Sequence, residues 1–151
     1  MAERVWWTKW IASVCVLQAS FCVIAAPAEH LLATVDQPAV VTARLGAASG
    51  PEQASRLVLT VVGFAPPREG AVEVVVSAGL GSGGADAEIG RFGIFPSAPF
   101  KVEDAAQGRR YGFPLPSALA SADGVTVQVR IVPIRGDGKG ASLELGGADI
   151  R

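Results

Sequence analysis

The chain has 151 residues, a formal net charge of −1, 50% apolar residues and 18% charged residues. That is enough for one domain with a core, and it excludes a wholly disordered chain. No basic cluster exists, which excludes nucleic acid as a partner, and a single histidine with two cysteines excludes a multi-histidine metal site built by this chain alone.

Residues 1–28 differ from everything after them. Arg4 and Lys9 precede an apolar run from Trp10 to Ala26, which ends at Ala26-Pro27-Ala28 with Glu29 next. This is the charged, apolar, small-x-small order of a secretory signal. It predicts cleavage after Ala28, and a secreted or periplasmic domain with no membrane contact once the signal is gone. An uncleaved N-terminal membrane anchor is the alternative. Both cysteines and all three tryptophans lie inside this segment. The mature domain, residues 29–151, is therefore expected to hold no disulfide despite an oxidising destination.

After residue 30 the signal is apolar alternation with turn residues between. Val40–Leu45 alternates, and Gly46–Ser55 reads as a loop. Arg56–Phe64 is a strand rich in β-branched residues, stopped by Pro66-Pro67. Ala71–Ser77 follows a Glu69-Gly70 turn. Its near-continuous valines suit a strand covered on both faces, with an exposed edge awaiting another chain as the alternative. Gly79–Gly84 is a loop, and Glu88–Phe95 is a weaker strand whose Gly90 and Gly93 allow a bulge or a close backbone approach. Phe100–Gln107 reads as loop, Arg109–Leu115 as a short strand, and Pro116–Ala122 as one helical turn starting at Ser117. In Gly124–Val132 the residues Val125, Val127, Val129 and Ile131 share a face; Gly136–Gly140 reads as a hairpin connection. Ala141–Leu145 returns, Gly146-Gly147 break it, and Ala148–Arg151 closes the chain. The fold class predicted is all-β: an antiparallel β-sandwich of seven or eight strands behind an N-terminal signal helix.

Chemical motifs are few. Gly79-x-Gly81-x-x-Gly84 has the dinucleotide-binding spacing, but Gly90, Gly93 and Pro96 break the helix that a pyrophosphate site requires, so it reads as a loop. Gly136–Gly140 lacks the Ser or Thr that follows the lysine of a phosphate loop, and Arg135-Gly136-Asp137 reads as turn chemistry. His30 reads as an ordinary exposed histidine, with no second histidine to serve a nucleophile as base. The carboxylates Glu73, Glu88, Glu103, Asp104 and Glu144 are scattered, and nothing marks a catalytic pair. No catalytic, metal or cofactor-binding residue is expected. The most site-like patch is Arg109, Arg110, Tyr111 and Phe113, where stacked cations and rings suit an acidic or glycan partner. The plainer alternative is a strand with rings inward and arginines outward.

The order of segments resembles one family, the C-terminal domain of polyphenol oxidases and tyrosinase-like type-3 copper proteins. Asp36-Gln37-Pro38-Ala39-Val40-Val41-Thr42-Ala43-Arg44 is similar to that domain's first strand, one residue shorter in spacing. Arg56–Gly63 resembles its next strand, and Ile89–Pro96 its acidic-F-A-G-S-F segment. Val125–Pro133 and Ala141–Ile150 resemble its closing strands. Glu73-Val74-Val75-Val76 stands where the family carries a lysine-phenylalanine-aspartate-valine signature, and Ser97-Ala98 where it carries a histidine. The family's oxidase chemistry uses six histidines around two copper ions in a separate helical domain, which this domain lacks. In those enzymes the corresponding domain packs over the copper site and restrains it. The resemblance therefore implies a non-catalytic secreted accessory or shielding domain that binds a tyrosinase-like copper oxidase, with no cofactor of its own. The alternative is a generic extracytoplasmic protein- or glycan-binding module.

Overall fold

A computed structural model describes residues 31–45, 56–81, 87–120, 122 and 124–151. The expected signal segment, His30, the Gly46–Ser55 loop and residues 82–84 of the Gly79–Gly84 loop lie outside the described residues. The chain is all-β. Its strands are β1 (Leu32–Thr34), β2 (Ala39–Leu45), β3 (Arg56–Ala65), β4 (Ala71–Gly79), β5 (Ala87–Phe92), β6 (Phe100–Lys101), β7 (Arg109–Pro114), β8 (Val125–Arg135) and β9 (Ser142–Ile150). One helical turn, α1 (Ser117–Ala120), lies where Pro116 predicts it.

The strands form one sheet in the order β5-β4-β8-β2-β9-β3-β6, with β1 paired to β9 and β7 to β3. Strand β2 joins the halves. Ala39–Ala43 run antiparallel to β8, then Arg44 and Leu45 run parallel to Asp149 and Ile150 of β9. The sheet is therefore mixed, where an antiparallel one was expected. A strand that leaves one neighbour for another meets the second in the direction it is already travelling, and here that direction is β9's.

Two further expectations are corrected. Gly136–Gly140 does not close a hairpin. Strand β8 pairs β4 and β2, whereas β9 lies in the other half of the sheet and pairs β3, β1 and the end of β2. The Gly136, Gly138 and Gly140 backbones all have positive φ, which supplies the reversal without strand pairing. Nor do Gly146-Gly147 end a strand. Thr60 lies opposite Gly147 and Val61 opposite Leu145, so Gly146 is the extra residue of a bulge inside one continuous β9. Within Phe100–Gln107, β6 pairs Gly63 and Phe64, and Ala105–Gln107 form a 3₁₀ turn capped by Asp104, whose Oδ1 accepts the Ala106 N–H at 2.8 Å.

One hydrophobic cluster takes side chains from both halves. Val74, Val76, Val127 and Val129 come from β4 and β8, and Leu57, Leu59, Leu143 and Leu145 from β3 and β9. The alternation in β8 buries Val125, Val127, Val129 and Ile131 as predicted. Strand β4 lies between β5 and β8 and is not an edge. Val74, Val75 and Val76 are all buried there, with Val75 on the outer face flanked in register by Arg91 and Arg130.

Candidate interaction surface

Strand β7 pairs Arg109 with Val61, Arg110 with Thr60, Tyr111 with Leu59 and Phe113 with Leu57. Directly opposed residues share a face of the sheet. Leu57, Leu59 and Val61 are fully buried, so Arg109, Tyr111 and Phe113 lie on the core-side face and Arg110 on the opposite one. The four residues singled out from the sequence do not form one surface. Phe113 is 6% exposed, and Arg110 is the exposed member of the set.

The rings do structural work. Tyr111 stacks on Phe92 of β5 with centroids 4.0 Å apart and planes 27° from parallel. Phe92 also meets Phe113 at 5.9 Å and 49°. Gly90 lets this happen: a Cβ there would sit 2.6 Å from Phe113 Cδ1. This is the close approach that the glycine in this strand predicts. Aromatic contacts thus bring together β5, at one end of the sheet, and β7, which pairs β3 near the other.

Arg109 turns toward the loop between β5 and β6. Its guanidinium carbon lies 4.1 Å from the centre of the Phe100 ring, a cation–π distance. Its Nη1 also donates a long, weak contact of 3.5 Å to the Phe95 carbonyl. That loop is anchored on its β5 side by Ile94, which is buried in the core, while the next residue, Phe95, is 92% exposed. Phe95 is the most exposed large apolar side chain among the described residues. Phe100 and Pro99 also line a groove of about 490 Å³ with Leu32, Ala65 and the Lys101–Glu144 ion pair, which is 3.0 Å long.

Sequence reasoning placed Phe95 at the end of a strand and missed it as a surface feature. The signal was present: Phe92 and Ile94 alternate inward, which turns Phe95 outward, and Pro96 then halts any pairing that would cover it.

Of the scattered carboxylates, Glu73, Glu88, Asp104 and Glu144 have ordinary partners. Glu88 accepts from Arg91 Nε at 2.6 Å and Nη2 at 2.9 Å, and Glu73 accepts from Arg91 Nη1 at 3.2 Å. Hydrogen bonding to Arg91 holds the Glu88 carboxyl below the usual range, and raises the guanidinium in turn. Asp137 pairs with Lys139 at 2.8 Å and accepts its backbone N–H at 3.0 Å, which lowers the Asp137 carboxyl. Among the described residues no three His, Cys, Asp or Glu side chains come together as metal ligands would. No helix among them is long and apolar enough to cross a membrane.

No protein-family model matches the chain, and no curated protein matches it either.

Proposed function

We propose that the chain is a non-catalytic extracytoplasmic binding module, built as a two-layered β-sandwich, that docks on a protein partner through the Phe95 loop. The observation that carries this reading is a phenylalanine 92% exposed on a loop anchored beside it by Ile94, which is buried in the core. An apolar ring held out in water from a restrained backbone is costly to expose and loses little freedom on binding, the profile of an interface anchor. The layered form is supported by the single core fed from both halves of the sheet.

The sharper reading is an accessory domain that packs on a tyrosinase-like copper oxidase, and its support is the order of sequence segments. Phe95 gives it a physical form, since a projecting phenyl ring suits a cleft shaped for phenols. The test mixes the mature domain with such an oxidase lacking its own C-terminal domain and follows catechol oxidation. Inhibition by the wild-type domain, lost in Phe95→Ser and kept in Arg110→Ala, supports the shielding role. No inhibition by the wild type removes it. The broader reading is tested by pull-down from the extracytoplasmic fraction: a partner must be held by the wild type and released by Phe95→Ser.

A further inference from the structure

The fold assembles a basic cluster that no stretch of the sequence contains. Strands β2, β9, β3 and β7 are neighbours in that order. Leu57 and Ile150 oppose one another and are fully buried, so the residues flanking them, Arg56, Val58, Asp149 and Arg151, turn to the outer face. The register adds Arg44, opposite Asp149, Gly112, opposite Val58, and Arg110, opposite Thr60. Arg44, Arg56, Arg110 and Arg151 are all exposed. Arg110, singled out from the sequence beside Tyr111 and Phe113, thus belongs with these arginines and not with the rings.

Arg56 and Arg151 stand directly opposite each other, exchanging backbone bonds at 3.0 Å and 2.9 Å. Like charges in that position destabilise a sheet. Their side chains part. Arg151 Nη2 donates to Asp149 Oδ2 at 3.2 Å, and Arg56 crosses to β7. Gly112 makes room for it: a Cβ there would sit 3.1 Å from Arg56 Cδ and 3.6 Å from Arg56 Nε. Arg56 is thereby laid over the strand that presents Arg110, two residues from Gly112. Among the described residues, Arg44, Arg56 and Arg110 form no ion pair. Glu144, further along β9, is already paired with Lys101. Across these four strands, roughly 15 Å at the usual strand spacing, Asp149 is the one carboxylate side chain set among the arginines.

We propose that this face binds an acidic polysaccharide, whose carboxylates lie across Arg44, Arg56, Arg110 and Arg151. A guanidinium takes a carboxylate through two parallel hydrogen bonds. Several of them spread over four strands suit an extended polyanion better than one small anion. The positions between the arginines are held by Val58, Gly112 and Gly147, with no ring or leucine to anchor a protein or enter a bilayer. An external anion would also relieve the repulsion between Arg56 and Arg151. The choice of a polysaccharide over a nucleic acid rests on the extracytoplasmic reading. The face itself does not, and it uses no residue of the Phe95 loop.

The test titrates the full chain calorimetrically with polygalacturonate at low salt, and with its methyl ester, in which the same sugars carry no charge. The wild type should bind the acid, bind the ester far more weakly, and lose affinity as salt is added. Arg56→Gln with Arg110→Gln should weaken binding at least about tenfold, the scale of a lost hydrogen bond to a charged group. Arg135→Gln, an equal loss of charge at the exposed end of β8, and Phe95→Ser should bind as wild type does. All these positions are exposed, so the variants should keep the wild-type melting temperature. No binding of polygalacturonate or of duplex DNA overturns the face as a site, and so does an equal loss in Arg135→Gln. Binding of the ester as tight as that of the acid overturns the role of the arginines. Duplex DNA bound more tightly than polygalacturonate overturns the choice of ligand, and with it the extracytoplasmic reading behind that choice.

Discussion

Gly90 shows what one missing methyl group does in this molecule. A Cβ there would lie 2.6 Å from Phe113 Cδ1 and 3.0 Å from Cε1. Phe113 is buried in the core and has little room to retreat. Gly90→Ala is expected to destabilise the domain by about 1–3 kcal/mol, the usual cost of overpacking a filled site. Gly93→Ala, three residues on, meets nothing among the described residues within 4 Å and should stay within about 0.5 kcal/mol of wild type. Urea titrations of both variants check the contrast. Glu88 makes a pH prediction at the same scale. Its folded pKa lies below its unfolded one because Arg91 hydrogen-bonds the carboxylate. The stabilisation is therefore present above the unfolded pKa, about 4.3, and disappears as the pH falls through the lower folded value. Both side chains are substantially exposed, so the effect is small and screened by salt. Glu88→Gln should flatten part of the acid limb of a melting temperature–pH curve and leave the neutral limb parallel to wild type.

At the scale of elements, strands with clean period-2 burial were legible. Val125, Val127, Val129 and Ile131 alternate because one face of β8 meets the core. Strand β6 was not legible: two residues give no period, and their strand geometry comes from pairing with Gly63 and Phe64. Gly146-Gly147 carried a true local signal whose consequence depends on the partner strand. Beside β3 they make a bulge, where an isolated chain would read them as a stop. The Arg109–Phe113 strand was legible as a strand, and its rings do face inward, yet which strand they meet is a tertiary fact. That meeting is testable. Tyr111→Ala removes a ring stacked at 4.0 Å on Phe92 and should cost about 2 kcal/mol or more. Arg110→Ala, on the opposite face, should cost no more than about 0.5 kcal/mol. A double-mutant cycle of Phe92→Leu with Tyr111→Leu should return a coupling of about 0.5–1.5 kcal/mol, the range for paired rings. A coupling near zero would mean that β5 and β7 are held together by other contacts.

At the scale of the whole molecule the last strand is the one that everything waits for. Strand β9 pairs β1, β2 and β3, and it is the neighbour through which the β4–β8 half reaches the β3–β7 half. Beyond its end the chain is still fastened: Arg56 and Arg151 exchange backbone bonds at 3.0 Å and 2.9 Å. Such a topology makes folding depend on contacts distant in sequence, which slows it relative to a helical domain of equal size. It also concentrates stability near the C-terminus. Ile150 is fully buried, and Ile150→Ala alone should cost about 2–5 kcal/mol, a large share of the roughly 5–15 kcal/mol that a domain possesses. Removing residues 146–151 takes away the Ile150 and Ala148 side chains. It also removes half of the β3–β9 ladder and the parallel register with Arg44 and Leu45. The shortened chain is therefore expected to show no cooperative thermal transition and no near-ultraviolet circular dichroism, although every other strand is intact in sequence. A cooperative melt in that chain would show that the two halves hold together through the core without β9 between them.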